Sequence, residues 1–260
     1  MPLAPSETEM LGLALAEARR TGQVSALPEL GRLSDPDDAD AVLAAALRHH
    51  GGGLAGYALA ATSPLSARLL CSEQPVAAPL LREALLEDGA TLRLPQGVIG
   101  VGAGFLMRLG RPFPEDGEAI TGEHAASACV SCHLDLHLLG RRVPNGTPLN
   151  AWAAVADFGL DVAHVRGPRV TAWDEGLLRE AAVSLRVDGH ELARGRGCDT
   201  LGSPLAAVAW LARRLAERDL GLDAGDVVAT GTCTGLTQVL PGQTVSAEYG
   251  PLGRVALTLA

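Results

Sequence analysis

Short apolar runs cut by glycine and proline dominate the chain from Tyr57 onward, and this punctuation restricts the fold more than any other feature. The runs YALAAT, ATLRL, VIGVGAGFLM, AAVSLRV, VVATG and VALTL have the length and composition of strands, as does the segment over residues 152–162. Helical patterning interrupts them only over 76–87, 121–132 and 203–219. The last of these is the clearest, with Leu205, Val208, Ala209, Leu211, Ala212 and Leu215 on one face and Arg213, Arg214, Glu217 and Arg218 on the other. Strand runs outnumber helices without strict alternation. The pattern therefore predicts an α+β fold with a mixed sheet rather than a doubly wound parallel one.

The first residues read differently. Residues 6–20 open with Ser6 and Glu9 as a capping pair and continue with helical spacing, and residues 36–49 carry acids in the first turn and Arg and His in the last. These two helices define an N-terminal helical region over 1–70, leaving a β-rich core over 71–260. Hydrophobic residues make up 47% of the chain but aromatics only 3%, so the core must be built of Ala, Leu and Val. Thirty acidic against 21 basic residues give a net charge of −9 with no basic cluster, which excludes a nucleic acid or an anionic membrane as partner. No apolar stretch is long enough to span a bilayer. The odd set Cys71, Cys129, Cys132, Cys198 and Cys233, with no export signal at the start, leads us to expect a cytoplasmic protein with reduced thiols.

The C-terminal motifs GSPLAAVAWLA, AGDVVATGTCTG, PGQTV and YGPLG occur in an order and spacing that resemble the 2-keto-4-pentenoate hydratase and 4-oxalocrotonate decarboxylase group of the fumarylacetoacetate hydrolase superfamily. ARRTG, AGYALAATSP, EDGA and FLMRLGRPFP extend the resemblance over nearly the whole chain. It implies a mixed β-sheet roll with an N-terminal helical region, a small-molecule substrate, a homo-oligomer and, in some members, a paired decarboxylase or hydratase homologue. It also implies a Mg²⁺ or Mn²⁺ ion held by carboxylates, which would stabilise the enolate of a 2-oxo acid.

The residues expected to hold that ion differ here. Setting the family's Phe on Phe105 places its first two carboxylates at Gly100 and Gly102, and the third falls on His137. The family's Lys falls on Ala58, an adjacent Asp on Gly140, and the His of a GHPL-like segment on Ser203; an acidic position survives as Glu83. This reading expects no metal cofactor. His137 is the candidate acid/base, supported by Glu83, since an imidazole titrates near neutrality. Thr230, Thr232, Cys233 and Thr234 of the TGTCTG loop, with Ser203, Gly100 and Gly102, are the candidate substrate contacts. The alternative for the Thr-rich loop is a plain turn. The alternative for the glycines at 100 and 102 is a slim strand, against a pocket widened for a bulkier, apolar ligand.

CVSCH at 129–133 has the spacing of a haem attachment site, but no export signal accompanies it. On a continuous helix Cys129, Cys132, His133 and His137 would share one face suited to Zn²⁺; the alternative is small buried thiols. Two function classes follow. One is a metal-independent lyase, isomerase or cyclase of secondary metabolism, working on a 2-oxo or 1,3-dicarbonyl substrate through an enol. The other is a catalytically silent relative that binds a ligand or steadies an active partner. An ordinary Mg²⁺-dependent hydratase is the third reading.

Overall fold

The computed structural model describes residues 2–69, 72–144, 146 and 149–260, so Cys71 lies outside the described residues. The chain opens with α1 (Pro5–Thr21) and α2 (Pro36–His50). These pack closely because Gly12 has no side chain: a Cβ there would lie 2.8 Å from the Ala46 amide nitrogen. The start of α2 and the ends of both helices follow the sequence. Asp35 caps α2 by accepting from the Asp37 and Asp38 amides, and left-handed Gly22 and Gly51 close the two helices. The cap of α1 is Ala4, not Ser6; Glu7 reaches back to the Ala4 amide at 2.9 Å, and Pro5 fills the first helical position.

There follow β1 (Leu54–Ala60), α3 (Pro64–Leu69), β2 (Val76–Leu81), β3 (Leu85–Glu87), β4 (Thr91–Leu92), β5 (Val98–Leu109), α4 (Gly122–Ala128) and β6 (Cys129–Gly140). Then come α5 (Ala151–Ala156), β7 (Asp161–Val170), α6 (Glu175–Glu180), β8 (Ala182–Val187), β9 (His190–Arg196), α7 (Pro204–Ala216), β10 (Val227–Ala229), β11 (Thr244–Glu248) and β12 (Arg254–Leu259). A seven-stranded sheet runs β2-β1-β10-β5-β6-β7-β3, and a five-stranded sheet runs β4-β12-β11-β8-β9. Parallel pairs, β1 with β10, β3 with β7 and β4 with β12, sit among antiparallel ones, so both sheets are mixed as predicted.

The long strands β5 and β6 separate two cores. Val101, Ala103, Phe105 and Met107 of β5 and Cys132, Leu134, Leu136 and Leu138 of β6 face the five-stranded sheet and α7. Leu106 points the other way, into a second core built from α1, α2 and α5. Strands covered on both faces read as continuous apolar runs, which is why β5 carried no alternation in the sequence.

Three expectations change. The helix expected over 76–87 is β2, a short turn and β3: Val76–Leu81 pairs with β1, and that cross-strand packing overrides the helical preference of Leu, Ala and Glu. The helix expected over 121–132 stops at Ala128, and CVSCH begins β6. The strand expected over 152–162 is α5 and a turn, with β7 starting only at Asp161. β1, inside the segment assigned to the helical region, pairs within the seven-stranded sheet.

Candidate active site

On the helix-covered face of the large sheet, β5, β6 and β7 align one polar row. Gly102 stands opposite His137, and His137 stands opposite His164. Asp135, two residues along β6 on the same face, stands opposite Gly104 and Arg166. Asp135 Oδ2 is 2.9 Å from His164 Nδ1 and 3.3 Å from His137 Nδ1, so one carboxylate oxygen bridges two imidazoles. Beyond His164, its Nε2 is 3.2 Å from Asp161 Oδ1, and Asp161 Oδ2 is 3.1 Å from Arg19 Nη2 of α1. Arg142 lies alongside, with Nη1 2.8 Å from Asp157 Oδ1. The guanidinium groups of Arg19 and Arg142 lie 4.9 and 5.6 Å from the Phe158 ring centre. Asp135, His137, Asp161 and His164 are all at most 1% exposed.

Burial by itself would push His164 toward its neutral form, but Asp135 and Asp161 outweigh it and raise its pKa to about 10. Burial likewise raises the carboxyl of Asp161, yet His164 and Arg19 prevail and hold it down to about 2. Asp135 is lowered for the same reason, its burial being opposed by both imidazoles. Asp157 goes the other way: burial raises it against the opposing pull of Arg142. Asp135 Oδ1 and His137 Nε2 are buried without a hydrogen-bond partner, as is His164 Nε2, whose approach to Asp161 is an ion-pair contact only.

The segment after β10 lies along β5 and closes this face. Thr230 N donates to Phe105 O and Cys233 N to Ala103 O, while Val101 and Thr237 exchange amide and carbonyl. A Cβ at Gly102 would stand 2.5 Å from Thr232 Oγ1, 2.7 Å from Gly235 O and 2.9 Å from His137 Nε2, and one at Gly100 would stand 2.8 Å from Thr237 O. The two glycines therefore do not leave a widened pocket: they let the 230–237 segment lie directly on the strand.

The other sequence candidates are placed as follows. The Thr230 hydroxyl donates to Phe105 O and Thr234 Oγ1 accepts from Ala103 N, which fastens the loop to β5, while the Thr232 hydroxyl donates to Gly235 O within the loop. Cys233 is buried, and burial raises its thiol to about 12 even though the Thr200 hydroxyl opposes the shift. Ser203 is the N-cap of α7, accepting from Ala206 N and donating to Glu175 Oε1. Glu83 pairs with His50 Nε2 at 3.1 Å on the wall of a cavity of about 150 Å³ that Arg19 and Arg142 also line, and it makes no contact with His137 among those described. Cys132 points into the core while His133 occupies the opposite face of β6, so the CVSCH residues do not converge.

Among the described residues, the grouping able to hold a metal ion is Asp135, His137 and His164, whose donor atoms all lie within 4.8 Å of one another. Asp161 and His164 carried no signal in the sequence, and Arg19 stood out only as part of ARRTG. His164 sits alone in its run, and only the β6–β7 register sets it beside His137. A cleft of about 750 Å³ opens on the same sheet beside this cluster, lined by Arg82, Arg108, Arg166, Arg169 and His133. Arg166 borders both, since it stands opposite Asp135.

Residues 135–260 match the family described as fumarylacetoacetate (FAA) hydrolase C-terminal. This stretch of the chain is similar to fumarylacetoacetate hydrolase C-terminal domains. Over 104 residues the chain is 34% identical to a 4-oxalocrotonate decarboxylase of Pseudomonas putida, covering 40% of this chain and 39% of that one. It is 38% identical over 104 residues to a 2-keto-4-pentenoate hydratase of Burkholderia vietnamiensis, covering 40% of each. The match thus spans about two fifths of the length of these relatives. A weaker likeness, 26% over 211 residues, joins it to the TodF product hydratase of Pseudomonas putida, covering 81% of this chain and 78% of that one. The fold extends further than the sequence match. The structure of 4-oxalocrotonate decarboxylase from Pseudomonas putida G7, complexed with magnesium and adipate, superposes with a TM-score of 0.86 at 21% identity over 99% of both chains. Another structure of that enzyme holds calcium and acetate.

These findings overturn the expectation of a cofactor-free protein. The similar structures carry divalent cations, and this chain has its own three-donor cluster at Asp135, His137 and His164. The donors fit a divalent ion: Asp135 Oδ1 is buried and unpartnered, and the separations of 2.9 and 3.3 Å from Oδ2 to the imidazole nitrogens suit ligands of one ion.

Proposed function

We propose that this protein is a lyase of the hydratase and decarboxylase kind, acting on a small 2-oxo carboxylate through its enol. The observation that carries this reading is an arginine cleft linked to the buried Asp135–His137–His164 cluster through Arg166, which lines the cleft and stands opposite Asp135. Guanidinium groups bind carboxylates in a bidentate fashion, and Arg82, Arg108 and Arg169, with Arg166 paired to Glu87, outnumber the one acid of the cleft, Asp226, in a chain of net charge −9, which favours docking of an anionic substrate there.

Asp135, His137 and His164 would hold the divalent ion, which supplies a Lewis acid for the 2-oxo group. Asp161, fixed by Arg19, orients His164 through its Nε2. With Nδ1 turned to Asp135 and the ion, His137 keeps its proton at Nε2 and offers it as a hydrogen-bond donor to the enol oxygen. Arg166 and Arg169 anchor the substrate carboxylate. The 230–237 segment excludes water from the cluster, and turnover requires the cluster to open toward the cleft.

The test is ultraviolet assay of 2-keto-4-pentenoate hydration and 4-oxalocrotonate decarboxylation. Arg169→Ala is expected to raise KM roughly tenfold with little change in kcat, and His137→Ala to lower kcat at least a hundredfold. Turnover unaffected by His137→Ala refutes the mechanism. A second reading is favoured by the near-complete burial of the cluster: a silent relative that steadies an active hydratase or decarboxylase partner. No turnover of either substrate, together with co-purification of such a homologue, supports that role.

A further inference from the structure

We infer that the Asp135–His137–His164 cluster is a centre for a first-row transition-metal dication of the zinc type, and not for magnesium or calcium. The inference deepens the reading above by naming the ion. One carboxylate and two imidazoles form the donor set, and imidazole favours zinc and its neighbours, whereas magnesium and calcium are taken by oxygen cages. The carboxylates that would make an oxygen cage have no room here, since a side chain at Gly102 would run into Thr232 Oγ1 and Gly235 O.

Four further observations point to a bound ion. The 2.9 and 3.3 Å separations match the roughly 2.9 to 3.4 Å expected between donors that each sit about 2.0–2.1 Å from one ion. Asp135 Oδ1 is fully buried with no partner, free to chelate as a second oxygen. His164 turns its far nitrogen to Asp161 Oδ1, and Asp161 is held by Arg19; this is the carboxylate–imidazole arrangement that orients a ligating histidine. Arg19 pairs with Asp161 and Arg142 with Asp157, while Asp135, equally buried, has no guanidinium beside it and is partnered only by imidazole nitrogens, whose protons a dication would displace. Tyr249 fixes the strand itself by donating to the carbonyls of Asp135 and Gly104, both at 2.7 Å.

The experiment needs no substrate. Purified full-length protein is stripped with chelator, and zinc, cobalt, magnesium or calcium is added back, with metal content read by mass spectrometry and stability by thermal unfolding. Stoichiometric zinc or cobalt is expected, with Tm rising about 5 °C at a hundredfold excess over Kd, and no rise with magnesium or calcium. The cobalt form should show visible d–d bands without thiolate charge transfer. Cys129→Ser/Cys132→Ser should bind unchanged, whereas His164→Gln, folded by circular dichroism, should lose the metal. If His164→Gln fails to fold, the cobalt spectrum of the unaltered chain still separates imidazole from thiolate ligation. Binding of magnesium alone, binding of no ion, or zinc retained by a folded His164→Gln each overturns the inference. Because metal content is read without turnover, an active protein free of transition metal refutes the inference alone, and an inactive zinc protein refutes the proposed activity alone.

Discussion

Replacing Gly102 with alanine probes the feature that sets this domain's site apart, the seating of the 230–237 segment on β5. The new methyl would stand 2.5 Å from Thr232 Oγ1, 2.7 Å from Gly235 O and 2.9 Å from His137 Nε2. Ordinary carbon–oxygen contact is about 3.4 Å, so all three neighbours must retreat by half an ångström or more. Thr232 can rotate only by breaking its 2.8 Å hydrogen bond to Gly235 O, and Gly235 O belongs to backbone that the Val101–Thr237 pair ties to the strand. Overpacking of this kind costs about 1–3 kcal/mol, and two rigid neighbours place Gly102→Ala in the upper half, about 2–3 kcal/mol. With an unfolding entropy of about 2.1 cal/mol/K per residue, a chain of 260 residues converts that into a Tm lower by about 4–6 °C. Urea unfolding should show a lower midpoint at unchanged m. Combining Gly102→Ala with Thr232→Ala should be less harmful than the sum of the two by about 1 kcal/mol, because one clash partner is gone. A Gly102→Ala protein within 0.5 kcal/mol of the parent would mean that the segment does not rest on the strand, and the account of why no side chain fits at position 102 would fall.

Other perturbations test separate parts. Arg142→Met should cost about 3–5 kcal/mol in chemical denaturation, since it strands the fully buried Asp157 carboxylate; a cost below about 1 kcal/mol would contradict the pairing. The Glu118 carboxyl, bonded first by Arg111 and then by the Glu115 amide, is lowered to about 2. A depressed carboxyl stabilises above its unfolded value and loses that contribution as pH falls toward about 2, so Glu118→Gln should remove an acid-limb transition in stability below pH 4.5 that the parent shows. Burial raises the thiols of Cys129 and Cys233 to about 12 and that of Cys132 higher still, so mass-mapped alkylation of the native protein at pH 8 should spare these three until denaturant is added.

The order of chain motifs and the short, punctuated runs carried the fold. Asp35 before Pro36, the two left-handed glycines and the apolar face of 203–219 are local signals, so α1, α2 and α7 were legible to within a few residues. The segment over 76–87 was not, because leucine, alanine and glutamate favour a helix unless a neighbouring strand supplies hydrogen bonds, and β1 does. CVSCH failed for a related reason: a helix would have put its residues on one face, while a strand sends Cys132 and His133 to opposite faces.

His137 could be singled out from the sequence because it stands where the resemblance expects a carboxylate. Asp135 could be noticed as its neighbour on the segment. Their meaning could not, since His164 and Asp161 lie more than twenty residues away and Arg19 more than a hundred. Side-chain identity along one strand is local information. The register between β6 and β7 and the docking of α1 over the sheet depend on contacts summed across both cores. The sequence by itself determined the family resemblance, the mixed-sheet class and the absence of side chains at positions 100 and 102. Tertiary structure alone decided that the space beside those glycines belongs to the 230–237 segment, and that one buried carboxylate faces two imidazoles at the distances of a metal centre.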